Sequence, residues 1–365
     1  MTSLLERRSP GETARDEIGT GPRRWGFAGL VVGLVLALAV VTGFAVSFGS
    51  VRIPIGDVWA IIAHRIAPGS FEPWWSAARE SIVVDSRLPR AITAAAVGAA
   101  LALAGGVAQA VTRNPLADPY LLGVSSGAGF GVVLVSVLGV GAGVLGAFTI
   151  PVAAFVGAMI PLFLALAIGG RYPQPTAVIL VGVALAQIFS ALITFVLLVV
   201  ADERHIGVIL HWLAGGFGDA RWGTAIVPGI ALLVIGTAIL LTAHRMDLLH
   251  TGDDGATALG LNVRRFRILQ LLGVSVLAGA AVSVAGGIGF IGLLVPHAAG
   301  YLVGARAVRL LPVAALIGAC ALVAADTLAR SLVSSVEVPV GVVTALVGAP
   351  VFVWMLFRQY RKVES

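Results

Sequence analysis

Lysine, cysteine and charge are all scarce in this 365-residue chain. The one lysine, Lys362, lies near the end of the chain and follows no glycine-rich turn. A Walker A phosphate loop places its lysine directly after such a turn, so the chain does not bind ATP through that motif. The one cysteine, Cys320, excludes both an internal disulfide and a cysteine-based metal cluster.

Charged residues make up 12% of the sequence and hydrophobic residues 58%, with a mean hydropathy of +1.00. Soluble domains carry about 25% charged residues, so the charges here are too few to cover a water-facing surface. The net charge is +6, but the basic residues are dispersed and flank apolar stretches. This pattern indicates orientation in a membrane and argues against a nucleic-acid partner. The composition therefore predicts an all-α integral membrane protein in a lipid bilayer.

Ten apolar stretches are candidates for membrane spans, each of which needs about 20 helical residues. They are 25–48, 89–111, 124–145, 149–170, 176–201, 222–243, 268–287, 291–304, 310–330 and 338–357. The eighth is short and glycine-rich. The first is too long for the apolar part of a signal peptide, roughly 7–15 residues, and therefore predicts an uncleaved anchor.

The positions of arginine and lysine orient these spans. With the N-terminus inside, 16 basic residues fall on inner segments and 8 on outer segments. The positive-inside rule then predicts that both termini are cytoplasmic in a multi-pass protein of the cell membrane. The predicted divisions are a polar tail, 1–24, a transmembrane domain, 25–358, and a second tail, 359–365. Residues 53–66 and 206–213 have helical apolar spacing and predict two short surface helices.

A faint internal repeat runs at an offset of 181 residues. Gly98-Ala-Ala matches Gly279-Ala-Ala, and Ala104-Gly-Gly matches Ala285-Gly-Gly. Under the predicted topology the two copies cross the membrane in opposite directions, as in the inverted repeats of transporters. The alternative is chance similarity in a chain rich in alanine and glycine.

Five motifs occur in a fixed order along the chain. They are RLPR at 87–90, RNPLADPYLLGVSSGA at 113–128, GIGFIGLLVPH at 287–297, ADTLAR at 325–330 and EVPVGVVTALVGAP at 337–350. Together they resemble the FecCD family of ABC importer permeases, over about residues 25 to 360. The resemblance implies a ten-helix permease with a fold like that of the vitamin B12 permease. It also implies a second permease subunit, identical or similar, two cytoplasmic ATPase subunits and an external substrate-binding protein.

The expected function is the translocation pathway of an importer for iron–siderophore complexes, with vitamin B12 or heme as alternatives. The chain is expected to be no enzyme and to hold no metal or cofactor, with ATP bound by the partner subunit. An ion-gradient-driven transporter is the alternative from another class. It would need ionisable residues near the middle of its spans, whereas here they cluster at the span ends. No nucleophile and base are paired by spacing, which disfavours a membrane enzyme.

Three arginines, Arg87, Arg90 and Arg330, fall at the predicted outer surface. At these positions the resemblance implies arginines that meet acidic residues on the binding protein. The planar guanidinium suits this role because it can bind a carboxylate with two hydrogen bonds. The alternative is that these arginines only anchor the ends of spans.

The segment 251–263 lies on the predicted cytoplasmic side and resembles the coupling helix of the family, which contacts the ATPase. Asp253 and Asp254 are expected in a first helical turn, where negative charge is favoured. Ala256 and Leu259 are expected to share an apolar face. The alternative is a solvated loop. The predicted coupling residues are Gly252, Asp253, Asp254, Ala256, Leu259 and Gly260.

Two segments rich in glycine and proline interrupt the helical pattern, and such breaks at membrane depth can face a water-filled cavity. They predict a pathway or gate, and turns used only for packing are the alternative. The candidate residues are Asn114, Pro115, Asp118, Gly123, Ser125, Gly287, Gly289 and Pro296.

Three further polar residues are interpreted as structural. His297 is expected to be a satisfied polar group rather than a heme or metal ligand, and Asp326 and Glu337 to be polar groups at span ends rather than a proton relay. Gly300 departs from the family pattern, which has arginine at this position. Any pairing of that arginine would be lost or taken over by Arg306.

Overall fold

The structure is a computed structural model that describes residues 24–49, 51–69, 72–139, 145–169, 175–333 and 337–364. The predicted tail 1–24 lies almost wholly outside these ranges. The described residues form fifteen α-helices. They are α1 Arg24–Ser47, α2 Ile55–Ile66, α3 Ala77–Ser81, α4 Leu88–Thr112, α5 Val124–Leu138, α6 Thr149–Gly169, α7 Pro175–Val199, α8 Glu203–Leu213, α9 Trp222–Ala231, α10 Thr237–Leu248, α11 Gly252–Ala258, α12 Val263–Ala285, α13 Ile291–Val303, α14 Ala307–Leu332 and α15 Val340–Glu364.

All ten predicted spans coincide with helices. Seven helical runs in the described part of the chain are long and apolar enough to cross a membrane, and three shorter apolar helices complete the set. The sixth span consists of α9 and α10, joined by a π-helical turn at Leu232–Gly236. The predicted third span is too long, because α5 ends at Leu138, where Gly139 takes a left-handed φ of 67°. The short eighth span is confirmed as α13.

Both predicted surface helices are present. In α2, Val58 and Ile61 are buried, so the helix lies with one apolar face against the rest of the protein. Helix α8 begins three residues earlier than the apolar pattern indicates. The reason is that the side chain of Asp202 accepts a hydrogen bond from His205 N and caps the helix.

Helix α4 is the centre of the fold, with most of its length buried. Small residues allow its neighbours to approach closely. A Cβ on Gly98 would collide with the carbonyl of Gly318 in α14, and a Cβ on Gly105 would collide with the carbonyl of Gly292 in α13. Such contacts are typical of helix packing in membranes, where close backbone approach replaces the hydrophobic effect. Helix α1, in contrast, exposes much of its apolar surface, as suits contact with lipid.

The two copies of the sequence repeat differ in their local structure. Ala104-Gly-Gly lies inside α4, whereas Ala285 ends α12 and Gly286 leaves the helix with φ 65°. Pro115 lies in a turn, and Pro296 lies inside α13. Only the Gly98 and Gly279 segments are both helical and buried. The matches after Gly98 therefore do not identify equivalent parts of two repeats.

Candidate functional site

Three of the places where charged and polar side chains gather in the described part of the chain lie at the two ends of α4 and between them. The first, called here the arginine network, consists of Arg87, Arg90, Asp326, Arg330 and Glu337. The second is the contact between the two glycine-rich breaks. The third, called the α11 clamp, consists of Arg113, Asp253 and Arg267.

In the arginine network, Arg90 binds two carboxylates at once. Its Nε and Nη2 donate to Asp326 at 3.1 and 2.9 Å, and its Nη1 donates to Glu337 Oε2 at 3.0 Å. The side chains of Arg90 and Asp326 are only 12% and 2% exposed, while that of Glu337 is 53% exposed. The pair Arg90–Asp326 therefore joins α4 to α14 inside the protein, and Glu337 covers it from outside.

Arg330 adds a second cation to Asp326, with Nε 3.1 Å from Oδ2. Its Nη2 also donates to the carbonyl of Ala45 at 3.1 Å, near the end of α1. Because this guanidinium is turned toward α1 and Asp326, Arg330 has few donors left for an external partner.

Arg87 is the most deeply placed of the three arginines. Its Nη1 donates to the carbonyls of Val46 and Ser47 at 2.7 and 3.1 Å, and Nη2 donates to that of Val51. The residue is 7% exposed. The expectation that Arg87 meets the binding protein directly therefore needs correction, because its guanidinium holds the end of α1 and is covered by it.

The two glycine-rich breaks lie against each other. The amide of Ile288 donates to the hydroxyl of Tyr120 at 3.4 Å, and Gln109 Nε2 donates to the carbonyl of Leu293 at 3.0 Å. Pro119 packs against Gly292, and Ser125 lies beside Gly287. Residues far apart in sequence, singled out as pathway candidates, thus form one contact region.

Within this region Asn114 and Asp118 are used in turns. Asn114 Oδ1 accepts from Leu116 N at 2.9 Å, and Asp118 Oδ1 accepts from Tyr120 N at 2.7 Å. Asp118 lies between α4 and α5, where burial raises the pKa of its carboxyl to about 6, against the lowering effect of that hydrogen bond. Gly123 follows with φ 76°, a value that favours glycine. These contacts are those of packing turns, and a pathway role for the residues stays a prediction.

The remaining pathway candidates, from both breaks, differ in their surroundings. Pro296 is buried within α13. A Cβ at Gly289 would meet nothing within 4 Å. Pro115 is exposed. Space beside Gly289 is thus available for a larger group, whereas Gly287 sits against the carbonyl of Leu213.

The α11 clamp holds the short helix α11 against the ends of α4 and α12. Asp253 Oδ2 and Oδ1 accept from Nη1 and Nη2 of Arg267 at 2.7 and 2.8 Å. Arg113 also donates to Asp253, and Arg267 Nε donates to the carbonyl of Val111 at 3.2 Å. Arg113 ends α4 with φ 52°, where glycine is the common choice, so its side chain is placed at some backbone cost.

The predicted coupling residues lie in the short helix α11 and directly after it. Asp253 and Asp254 lie in its first turn, as expected, and Gly252 and Gly260 both take φ 87° at its ends. The expectation of a shared apolar face is wrong. Ala256 is fully buried, while Leu259 caps the helix and is 61% exposed, because the helix ends at Ala258.

His297 contacts Tyr301 one helical turn away, with Nε2 3.3 Å from the hydroxyl. Among the described residues no group of three or more His, Cys, Asp or Glu side chains could hold a metal ion. A Cβ at Gly300 would meet only Leu310 Cδ1, at 3.8 Å. Within the described chain Arg306 forms no side-chain ion pair that could replace one lost at this position.

Sequence analysis did not single out Arg267, Gln109 or Tyr120 as functional residues. Arg267 is hard to single out from the sequence, because Arg264 and Arg265 come just before it and all three precede the predicted span 268–287. Gln109 could have been found, because it is the one amide in the inner part of α4. Nothing in the sequence connects Tyr120 to Ile288, because that contact depends on how the two breaks pack.

The ten apolar helices, the paired glycine-rich breaks and the clamped α11 define a polytopic helical transport protein. The FecCD transport family matches residues 35–358. The chain belongs to this family and is an ABC importer permease.

Known proteins similar to the chain agree with this assignment. Over 307 residues it is 40% identical to the vitamin B12 import system permease protein BtuC of Citrobacter koseri, covering 84% of this chain and 89% of the relative. Over 334 residues it is 37% identical to the hemin transport system permease protein HmuU of Yersinia pestis, covering 90% and 96%. A solved structure of a metal-chelate type ABC transporter in an inward-facing conformation matches with a TM-score of 0.79 at 29% identity, covering 91% of this chain and 99% of that one. The alternative of an ion-gradient-driven transporter is therefore wrong.

Proposed function

We propose that the chain imports a bulky metal chelate, with an iron–siderophore complex as its first substrate candidate. The observation that supports this class is the chemistry named for its relatives. Vitamin B12 and hemin both hold a metal ion inside a large organic ligand, and the similar solved structure is of a metal-chelate type transporter. A corrinoid is the second candidate, favoured by the 40% identity to BtuC.

In this proposal the chain works with a second permease subunit, two ATPase subunits and an external binding protein. Transport then needs an ATPase on another chain, because the single lysine near the C-terminus leaves no Walker A loop here. Both termini and α11 face the cytoplasm of the cell, in keeping with the distribution of arginine.

Helix α11 is the proposed contact with the ATPase. It exposes Leu259 at its C-terminal end, while Ala256 and Asp253 hold it to the permease. An exposed apolar residue beside an anchored helix suits docking into a cleft on a partner. Because Asp253 is bound to arginines from both α4 and α12, movement of α11 would be passed directly to two spans.

The arginine network is the proposed contact with the binding protein. Acidic groups on that protein would compete with Glu337 for Arg90, since Glu337 is the exposed member of the network. Arg330 would contribute charge rather than direct hydrogen bonds, because its donors already contact Asp326 and Ala45.

The test is uptake into sealed vesicles that contain the chain together with a candidate ATPase and a candidate binding protein. We expect uptake of a radiolabelled iron–siderophore complex that needs ATP at the ATPase side and survives collapse of the ion gradient. Labelled cobalamin in a parallel assay separates the two substrates. Uptake that continues without ATP would contradict the importer mechanism, and uptake of cobalamin alone would replace the first candidate by the second.

A further inference from the structure

A cavity of about 510 Å³ opens beside the α11 clamp. It lies between the end of α4, the second half of α13 and the start of α14, and so at the level of the membrane surface that carries α11. Ligand pockets commonly have volumes of about 300–1,000 Å³. The cavity reaches the backbone of α13 because Gly300 has no side chain and only Leu310 lies near it.

The polar side of this cavity is basic. Arg113, His250 and His297 line it, and no acidic residue does so in the part of the chain described. Arg113 uses Nη2 for Asp253 and has further donors available. His250 is exposed and forms no hydrogen bond or ion pair with the described residues. Arg113 favours a negatively charged ligand, and the two imidazoles add hydrogen-bonding nitrogens beside it.

The opposite side of the cavity is apolar. Ala110, Pro296, Leu310 and Leu311 line it, and Tyr301, which is 64% exposed, stands at its edge. Tyrosine is enriched where proteins cross the membrane surface. A basic end and an apolar wall at this level fit a molecule with an anionic head and a hydrocarbon tail.

We propose that this cavity binds an acidic phospholipid of the adjacent leaflet. Its phosphate would lie by Arg113 and His250, and one acyl chain would lie along Pro296 and Leu310. Basic pockets between transmembrane helices are known to hold acidic head groups in this way. Because Arg113 also binds Asp253, the lipid phosphate would share a cation with α11, and bound lipid would change how firmly α11 is held.

The test is native mass spectrometry of the full-length chain in detergent, titrated with phosphatidylglycerol or with phosphatidylcholine of the same acyl chains. We expect about fivefold tighter binding of phosphatidylglycerol, from one full positive charge at the membrane surface. The preference should weaken at high salt. Equal binding of the two lipids would overturn the proposal.

Gly300→Met fills the cavity with a side chain and should abolish the preference for phosphatidylglycerol. The matched control is Gly33→Met in α1, where a Cβ would meet nothing within 4 Å and the residue does not line this cavity. His250→Gln removes the imidazole from the cavity wall without adding volume, so it tests the site should Gly300→Met fail to fold. If both cavity variants keep the full preference, the lipid binds elsewhere and the proposal fails.

Two further arms separate other occupants. Inorganic phosphate at millimolar concentration should not displace phosphatidylglycerol, because it has no acyl chain; complete displacement would show a phosphate site instead. Purified ATPase subunit should bind the Gly300→Met chain as it binds the unchanged chain. Loss of ATPase binding with lipid preference intact would assign the cavity to that partner and overturn the lipid proposal.

Discussion

The arginine network and the α11 clamp use the same chemistry at opposite ends of α4, but at very different depths. In the network, Asp326 lies between Arg90 and Arg330 with its side chain 2% exposed. In the clamp, Asp253 lies between Arg113 and Arg267 with its side chain 41% exposed. One carboxylate is thus sealed between helices, and the other is open to water.

This difference in depth predicts a difference in role. Removing one partner of a buried ion pair leaves an uncompensated charge, which is costly, while a solvent-exposed pair contributes little to stability. The network should therefore hold α1, α4 and α14 together. The clamp, whose carboxylate is open to water although the side chain of Arg267 is 9% exposed, should break at a lower cost than the network.

The largest effect should come from Asp326→Ala. This change leaves Arg90 and Arg330 facing each other without their shared carboxylate, and breaking a buried pair costs about 3–5 kcal/mol. We expect a large fall in the melting temperature of the purified chain, or failure to accumulate in the membrane. Wild-type stability in this variant would show that the network does not hold the helices.

Asp118→Asn should sharpen the comparison, because Asp118 is a carboxylate without an arginine. Its pKa of about 6 means that the folded chain keeps the proton up to that pH, while an unfolded aspartate loses it near 4. Stability of the wild type should therefore fall as pH rises from 4 to 6 and stay constant above. The asparagine variant should match it at pH 4 and exceed it above pH 6 by at most about 3 kcal/mol.

The measurement is thermal unfolding in detergent across this pH range. Asparagine still offers Oδ1 to the amide of Tyr120, so the turn is kept. Identical pH profiles of the two chains would mean that Asp118 is not titrating as described.

Asp253→Asn should cost less stability than Asp326→Ala, because Asp253 is 41% exposed and asparagine can still accept a hydrogen bond from the buried Arg267. Its effect should appear in coupling, as loss of the stimulation of the partner ATPase. Asp254→Asn is the matched control, since Asp254 lies in the same turn of α11 and is outside the clamp. If both variants stimulated the ATPase equally, the clamp would have no part in coupling.

Glu337→Gln should have the smallest effect on stability, about 0.5 kcal/mol, because the side chain is half exposed and screened by salt. Docking of the binding protein should be unchanged or stronger, since Arg90 loses a competitor. Weaker docking, measured by surface binding to the reconstituted complex, would contradict the proposed exchange at Arg90.

The spans were predictable because hydrophobicity over about 20 residues is a local property of the sequence. Asp253 and Asp254 in the first turn of α11 were also predictable, since a helix start favours negative charge. The orientation of α11 was not, because whether Ala256 or Leu259 faces inward depends on where the helix stops. Nor was the burial of Arg87, which depends on three carbonyls at the far end of α1.

The two π-helical turns, Ile82–Arg87 and Leu232–Gly236, have a consequence for comparing sequences of this family. A π turn accommodates one residue more than an α turn at the same place in a helix. Loss of one residue there would restore a regular α-helix and leave the residues on both sides in nearly the same orientation. Relatives that keep the same packing on both sides can therefore carry a single-residue gap inside either turn, whereas such a gap in a regular stretch of these helices would rotate one side by about 100° and give Arg87 or α10 a new neighbour.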